Sequence, residues 1–337
     1  MIRKRGLLKN VILFFALCVI VVLFGLNSAQ AAKPIKIEFV SFVPLANKVE
    51  YQKLKDDFID KVNERAKGEM IINVRGGPEA IPPFNLAVSV QKGIIDMATI
   101  PTAFLEALVP GANQTSLSDY TSIEERENGI YDYTRKMYQK RGIHYLGRSE
   151  ATEKGYFYLY SKKKITKIED FKKLKFGGST AFHGLYHELG SSVVTLAIPE
   201  YHSAMERGVV DGLVTSLYVG VQFGLQEVSK VVIVPGFYRS TVVLPMNLKK
   251  WNKLPKHLQK VLTDTMIEFE QKFPSFETQQ KAVFLEKIKK GGAELLQLSP
   301  EVEKLVQTAA VEGAWKEAQK RFPGDVIPNL RQKITKP

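Results

Sequence analysis

The chain has 337 residues, 45% of them hydrophobic and 25% charged, a composition that predicts a globular protein and excludes a disordered or fibrous chain. Its net charge is +13, but the basic residues stand beside acidic ones on amphipathic segments, which is typical of solvated helix faces and argues against a nucleic-acid partner. The one cysteine, Cys18, lies in an apolar N-terminal run, so intrachain disulfides, thiolate metal sites and cysteine catalysis are excluded.

The first 31 residues are typical of a cleavable export signal. A basic start that includes Arg3 and Lys9 precedes an almost unbroken apolar run over residues 11–26, and the small residues Ala29 and Ala31 follow at the spacing that a signal peptidase requires. We therefore predict cleavage after Ala31 and a soluble product in the periplasm. An uncleaved membrane anchor is the alternative, because the apolar run falls just short of the roughly 20 residues that span a bilayer.

The mature chain opens with alternating strands and helices. Residues 35–42 alternate and predict a strand, and residues 51–62 carry apolar side chains at helical spacing. Residues 70–74 predict a second strand, residues 86–92 a short helix, and residues 94–100 a third strand. This alternation favours a parallel sheet covered by helices.

One unit of this pattern recurs. The end of a helix, a glycine, two aliphatic residues, an aspartate and a strand occur around Gly93 and Asp96 and again around Gly208 and Asp211. The glycine is suited to the left-handed residue that ends a helix, and the aspartate is suited to binding nearby backbone N–H groups. So short a match is also explained by coincidence; otherwise the chain holds two lobes of similar α/β construction.

The second half of the chain predicts another sheet. Strands are expected over residues 155–162, 174–176 and 193–198, with a helix over residues 182–189 between the last two. Residues 231–246 are strand-like again, and they are expected to cross back to the first lobe.

Two helical segments follow. Residues 255–290 have a helical pattern that Pro274 is expected to kink or break. Ser299 is suited to cap a last helix, with Pro300 in its first turn. Beyond Pro323 the tail is expected to be irregular.

Six segments in chain order resemble the solute-binding proteins of tripartite ATP-independent periplasmic (TRAP) transporters, the DctP-like group. They lie at residues 76–79 (GGPE), 91–98 (QKGIIDMA), 162–175 (KKKITKIEDFKKLK), 206–212 (ERGVVDG), 251–255 (WNKLP) and 299–301 (SPE). No one segment is diagnostic, but together they cover nearly all of the mature chain in the family's order.

The resemblance implies an α/β fold of the two-lobed periplasmic-binding-protein type. Each lobe is expected to be a mainly parallel sheet covered by helices, and crossing strands and a long kinked helix are expected to join the lobes. The expected segments are residues 1–31 (signal peptide), 32–153 (lobe I, first part), 154–240 (lobe II, first part), 241–290 (return to lobe I and long connecting helix) and 291–337 (C-terminal helix and tail packing on the lobes).

The resemblance also implies a function. Such a protein captures a small organic anion by cleft closure and delivers it to a sodium-coupled TRAP permease in the membrane. The residues contain no convincing catalytic set, so we expect no enzymatic activity and no cofactor. We also expect a monomer.

The chain departs from the family where the ligand's carboxylate is bound. Family members hold it with a bidentate arginine in the strand after Lys175, but this chain has Gly177 there. Either the anion is held differently, or the ligand depends less on a carboxylate. Arg239 is our first candidate for a replacement cation and Arg148 the second; a solvated surface arginine is the alternative explanation for each.

Aromatic residues are candidates for the cleft lining. Phe157 aligns with a second arginine of sialic-acid-binding members, and Phe237 and Tyr238 fall at cleft positions of the family. Such a lining suits an apolar or aromatic ligand part, so we expect a monocarboxylate that carries one. Packing in the core is the alternative for each residue.

Polar residues complete the set of candidates. Gly178, Ser179 and Thr180 either present N–H groups and hydroxyls to an anion at a helix start or form a plain strand-to-helix turn. Thr215 aligns with a polar ligand contact of the family. Thr99 and Asn47 are candidates by fold analogy, because Thr99 lies at the end of the third predicted strand and Asn47 follows the first.

Two other functions remain open from the residues alone. His183 and His187 are four apart on a predicted helix, which allows a zinc site, although two ligands are too few and the His-Glu-x-x-His pattern is absent. An exported α/β hydrolase with Ser179 or Ser191 as nucleophile is the enzyme alternative, although the Gly-x-Ser-x-Gly elbow is missing.

Overall fold

The computed structural model describes residues 33–47, 49–151 and 157–336, without the side chains of residues 150 and 151. The predicted export signal, residues 1–31, lies outside the described residues. Two sheets form the centres of two lobes, and helices cover both sheets. The two-lobed α/β fold is therefore confirmed.

The strands of the described residues divide between the two lobes. They are β1 (Ile35–Val40), β2 (Met70–Gly76), β3 (Met97–Ala98), β4 (Ile100–Pro101), β5 (Ile143–Ala151), β6 (Phe157–Ser161), β7 (Lys175–Gly178), β8 (Ser192–Thr195), β9 (Gly212–Ser216), β10 (Val231–Val234), β11 (Thr241–Asn247) and β12 (Glu294–Gln297). In lobe I the order is β2-β1-β3-β11-β4, and β5 also pairs with β11; in lobe II it is β12-β10-β6-β9-β7-β8.

Each sheet is parallel except for one strand. In lobe I, β11 is antiparallel to β3, β4 and β5, whereas β1 is parallel to β2 and β3. In lobe II, β6 is antiparallel to β9 and β10, whereas the other described pairs are parallel. The reversed strand is in each case the one that enters from the other lobe, since β6 follows β5 and β11 follows β10.

Helices form the outer layers. They are α1 (Glu50–Leu54), α2 (Asp60–Arg65), α3 (Leu86–Lys92), α4 (Thr102–Leu105), α5 (Ser122–Glu127), α6 (Ile130–Gln139), α7 (Ile168–Phe171), α8 (His183–Glu188), α9 (Tyr201–Glu206), α10 (Leu217–Gln222), α11 (Leu225–Val228), α12 (Leu248–Lys253), α13 (Lys256–Lys290), α14 (Pro300–Arg321) and α15 (Val326–Ile334). A π-helical turn (Lys55–Ile59) joins α1 to α2, and 3-10 turns lie at Pro83–Asn85, Asn113–Leu117, Thr180–Phe182 and Ile198–Glu200. Across the described ranges, no helix has both the length and the apolar character that crossing a membrane requires.

The recurring unit has the same structure in both lobes. The glycine after each helix has a left-handed φ, 73° in lobe I and 72° in lobe II. Asp96 then exchanges two bonds with Glu38 of the neighbouring strand: its N–H donates to the Glu38 carbonyl and its Oδ2 accepts from the Glu38 N–H, both at 2.9 Å. Asp211 does the same with Lys175, at 2.7 and 2.9 Å. Each aspartate thus aligns two parallel strands rather than shaping its own turn.

The third predicted strand is shorter than expected. The N–H of Ile94 donates to Ser89 O at 2.9 Å, which closes the end of α3 and keeps this residue out of the sheet. The strand therefore begins at Met97, and an interruption at Thr99 divides it into β3 and β4.

The C-terminal tail is helical, which corrects the expectation of an irregular segment after Pro323. Helix α15 buries Ile327, Leu330 and Ile334 in one cluster with Trp315 of α14. Their spacing is that of one helical face. The proline within α15 stands in the first turn, where its missing N–H costs no helical hydrogen bond.

Two helices span both lobes. The first half of α13 contributes Leu262 and Phe269 to the core of lobe I, and its second half contributes Phe284 and Ile288 to the core of lobe II. The first half of α14 packs in lobe II, and its second half packs with α15 beside lobe I. The lobes are thus linked by two strand crossings and two helices.

A buried network of charges fastens α13 to lobe I. Glu270 of α13 accepts from Arg126 Nε at 2.6 Å and from the backbone N–H of Arg148 at 2.8 Å. The guanidinium of Arg148 in turn donates to Glu125 Oε1 at 2.5 Å. Pro274 offers no N–H to the Glu270 carbonyl, so the ladder of α13 is interrupted beside this network, although the helix continues through it.

We predict that Glu270→Ala destabilises the protein by about 3–5 kcal/mol, because it leaves the buried guanidinium of Arg126 without its carboxylate. Glu268→Ala is the matched control on the same helix, since Glu268 pairs with Arg65 at the surface and its loss is expected to cost about 1 kcal/mol or less. Urea unfolding measures both free energies, and equal losses for the two variants would contradict the prediction.

Candidate ligand-binding site

The two crossings of the chain meet between the lobes. Phe157 opens β6, the first strand of lobe II, and Phe237 and Tyr238 lie on the segment that returns to lobe I. The Phe157 N–H donates to Tyr238 O, and the Phe237 N–H donates to Phe157 O, both at 3.1 Å. This short antiparallel pair joins the two segments that cross between the lobes.

The aromatic candidates pack on one another at this pair. The ring centroids of Phe157 and Phe182 are 5.3 Å apart, and those of Phe182 and Tyr238 are 4.9 Å apart. The Tyr238 hydroxyl donates to Ala181 O at 2.7 Å. Tyr238 and Phe237 are buried, with 3% and 7% of their surface exposed, whereas Phe157 is half-buried.

Arg239 holds the end of a helical turn in lobe I. Its Nη1 donates to the carbonyls of Leu117 and Ser118 at 3.2 and 2.9 Å and lies 3.3 Å from Asp119 Oδ1. These carbonyls end the 3-10 turn Asn113–Leu117, where a cation is favoured. The side chain stays 28% exposed.

Arg148 also binds this 3-10 turn. Its Nη2 donates to Thr115 O at 3.0 Å as well as to Glu125, and the residue is only 7% exposed. Both arginines that the sequence singled out thus bind the same stretch of lobe I. Arg148 is fixed in a buried ion pair, whereas Arg239 lies at the surface of the crossing segment.

Apolar side chains occupy the place of the family's carboxylate-binding arginine. A Cβ built on Gly177 would lie 2.5 Å from Leu196 Cδ1 and 3.2 Å from Val210 Cγ1. A longer side chain at this position therefore requires Leu196 to move.

Ser179, which follows β7, caps the 3-10 turn Thr180–Phe182. Ser179 Oγ accepts from the Ala181 N–H at 3.2 Å, and Thr180 is exposed at the start of the turn. Gly178 has a φ of 138°, a conformation that favours glycine. The hydroxyl that was a candidate ligand contact, or a hydrolase nucleophile, thus satisfies a backbone N–H in this structure.

The polar candidates of lobe I stabilise the loop after β1. Thr99 Oγ1 accepts from the Phe42 N–H at 3.1 Å, and Asn47 Oδ1 accepts from the N–H groups of Val49 and Glu50, each at 2.9 Å. In lobe II, Thr215 is buried on β9 opposite Tyr158 of β6.

The two histidines lie on one face of α8, but with different partners. His183 Nε2 is 3.3 Å from Thr195 Oγ1, and His187 Nδ1 is 3.5 Å from Glu317 Oε1. Partial burial and then the nearby His187 lower the pKa of His183. Within the part of the chain that the structure describes, no group of three His, Cys, Asp or Glu side chains could hold a metal ion.

A recess of about 440 Å³ lies between the lobes and α13, and we call it the interlobe recess. Its lining residues come from the start of α1, from β6 and α10, and from one stripe along α13; they are Val49, Glu50, Tyr158, Leu217, Tyr218, Phe273, Phe276, Glu277, Gln280, Lys281 and Phe284. A smaller cavity of about 210 Å³ in lobe I shares Glu50 and is also bordered by Thr99 and Ser149.

The sequence interpretation missed this recess. Its signal is present in α13, where Phe273, Phe276, Glu277, Lys281 and Phe284 repeat at spacings of three and four residues and so share one helix face. The helical pattern assigns these residues to a helix and makes no prediction for this face. Only the fold shows that its middle part borders an opening instead of a filled core.

Two α/β lobes joined by crossing strands around an interlobe recess define the class of solute receptors that close on a ligand. The profile of the DctP family, bacterial extracellular solute-binding protein family 7, matches residues 40–321, and the chain belongs to this family. A solute-binding protein of Albidiferax ferrireducens is 27% identical over 281 residues, which cover 79% of this chain and 80% of that one.

Solved structures of TRAP periplasmic solute-binding proteins have the same fold. The protein from Desulfovibrio salexigens with bound orotic acid has a TM-score of 0.73 at 20% identity, covering 89% of this chain and 98% of its own. The protein from Rhodoferax ferrireducens with bound malonate has a TM-score of 0.69 at 22% identity, covering 88% and 98%. The resemblance to TRAP solute-binding proteins is therefore confirmed.

We predict that Gly177→Arg destabilises the protein by about 1–3 kcal/mol, because Leu196 occupies the volume that the new side chain needs. Adding Leu196→Ala should recover part of this loss, so the two changes should be non-additive in a double-mutant cycle by urea unfolding. A Gly177→Arg variant as stable as the parent protein would show that the site is open.

Proposed function

We propose that the protein captures a small organic anion, a monocarboxylate with an apolar or aromatic part, between its lobes and delivers it to a sodium-coupled TRAP permease. The observation that carries this proposal is the interlobe recess, which both lobes and α13 border and which aromatic side chains line. The apolar environment of Gly177 supports the same ligand class, because it removes one strong carboxylate contact from the cleft.

The ligands named for the two solved relatives support the acid group. Orotic acid and malonate are both carboxylates, but one has a single carboxylate on a ring and the other is a small dicarboxylate. These ligands therefore share a carboxylate group. The residues that line the cleft select the part of the ligand that carries this group. In this chain the lining favours an apolar remainder.

We propose that the lobes close on the ligand and that no covalent bond of the ligand changes. Rotation of the lobes about the crossing pair of Phe157 and Tyr238 brings the start of α1 towards α10, and a ligand that touches both favours the closed state. We keep Arg239 as a candidate cation, because it is partly exposed on the crossing segment. Phe157, Thr215 and the turn at Gly178 remain candidate contacts on the lobe II side.

We also propose that the protein is exported to the periplasm. The family is extracellular by description, and residues 1–31 carry the pattern of an export signal. Cleavage after Ala31 then releases a periplasmic monomer. The N-terminal sequence of the protein purified from the periplasm tests the cleavage site.

The test of the function is ligand binding by residues 32–337. We expect calorimetry to detect a monocarboxylate with an apolar part, and Arg239→Ala to weaken that binding at least tenfold without loss of folding. Arg141→Ala, a change of an exposed arginine in lobe I, is the control and should bind as the parent does. Unchanged affinity in Arg239→Ala would remove Arg239 from the site, and tighter binding of dicarboxylates or sugar acids would refute the apolar ligand class.

We further expect no hydrolysis of generic esters such as 4-nitrophenyl acetate, because Ser179 Oγ accepts the Ala181 N–H as a helix cap. Robust turnover that Ser179→Ala abolishes would replace the transport proposal with a hydrolase.

A further inference from the structure

The interlobe recess contains a basic side chain that the family resemblance does not assign. Lys281 is half-buried on the stripe of α13 that borders the recess. Of the described residues that line the recess, only Lys281 is basic. Its Nζ lies 5.9 Å from the centroid of the Tyr158 ring of lobe II. The cation therefore stands at an aromatic wall rather than in bulk solvent.

Within the described residues, no carboxylate forms an ion pair with Lys281. Lys290 of α13 pairs with Glu286 at 3.8 Å. Lys287 resembles Lys281 in lying near a ring, 5.5 Å from that of Phe284, but it is exposed outside the recess lining. A half-buried ammonium without a carboxylate is suited to accept an anion.

The rest of the lining limits the ligand's charge. Glu50 and Glu277 also border the recess, and both take part in interactions of their own; Glu50 Oε2 accepts from Asn47 Nδ2 at 3.0 Å. A second carboxylate on the ligand would lie near these acidic groups and be repelled. Among the described lining residues, Lys281 is thus the one cation with which an acid group can pair, and a second acid group finds no further cation.

The remaining walls are aromatic. Tyr218 and Phe284 pack edge to face with centroids 5.9 Å apart, and Tyr158 and Phe276 add two more rings. The roughly 440 Å³ of atom-free space in the recess includes a part that is open to solvent.

We propose that Lys281 Nζ binds the carboxylate of an aromatic monocarboxylate whose ring packs against Tyr158, Tyr218 and Phe284. This inference rests on the proposed function and assigns the ligand's carboxylate to a lysine of the long helix. These four residues all belong to lobe II or to the half of α13 that packs on it, and Phe273 and Phe276 of α13 border the recess on the lobe I side.

The test uses residues 32–337 and titrations with benzoate, phenylacetate and indole-3-acetate, with phenylacetamide as the uncharged analogue and malonate as a dicarboxylate. We expect at least one aromatic acid to bind, phenylacetamide to bind at least tenfold more weakly than phenylacetate, and Lys281→Met to lose at least tenfold. Lys281→Arg should retain most of the affinity. Lys287→Met is the matched control and should stay within twofold of the parent.

Tyr218→Leu separates the ring contact from the charge contact. It should weaken the aromatic acid several-fold and leave the ratio between acid and amide unchanged, whereas Lys281→Met should abolish that ratio. Circular dichroism and thermal unfolding establish that every variant is folded.

The outcomes distinguish this inference from the proposed function. If an aromatic acid binds equally well to the parent and to Lys281→Met, the role of Lys281 is overturned while the solute-binding function stands. If only non-aromatic acids bind, the ligand class inferred for the recess is wrong. If no organic acid binds to the parent protein, the proposed function and this inference fail together.

Discussion

Each sheet contains one strand delivered by the other lobe, and this exchange constrains what the protein can do. β11 lies inside the sheet of lobe I and β6 lies inside the sheet of lobe II, and each is hydrogen-bonded to strands on both sides. Neither can be withdrawn without opening a sheet, so the lobes cannot separate; they can only rotate about the segments that cross between them. A cavity at such a junction changes shape when the lobes rotate, which is suited to holding a solute.

The distribution of charge follows from this architecture. Where α13 passes lobe I, Glu270 is buried and paired with Arg126, so that half of the helix is fastened. Arg148 and Arg239 both bind the turn at residues 113–119 and thereby anchor the segments from which the crossings start. Beyond Pro274, α13 borders the interlobe recess and presents Lys281 to it. In this structure Arg148 and Arg239 both contact lobe I, whereas Lys281 faces the recess from the long helix.

The sequence predicted features that depend on local chemistry. Gly93 ends its helix, Ser299 caps α14 and the repeated aspartates mark equivalent strand starts, because each depends on neighbours close in the chain or on a pattern repeated in it. The last helix was missed, since an irregular tail was expected after Pro323; Pro328 stands in the first turn of α15, where a proline is compatible with a helix. The recess was missed for a different reason: whether the aromatic face of α13 meets a filled core or an opening depends on the distance between two lobes, and no local pattern encodes that distance. The segment boundaries expected near residues 153 and 240, and the roles of the candidate site residues, remain predictions.

The central claim is that the two lobes close around a solute. Because the only cysteine lies in the predicted signal segment, the mature chain accepts a pair of spin labels without a competing thiol. Glu64→Cys in lobe I and Lys173→Cys in lobe II place them on exposed positions. Pulsed electron paramagnetic resonance should show the interlobe distance distribution becoming shorter and narrower when a bound organic acid saturates the protein. A distribution that is the same with and without the bound acid would contradict the account.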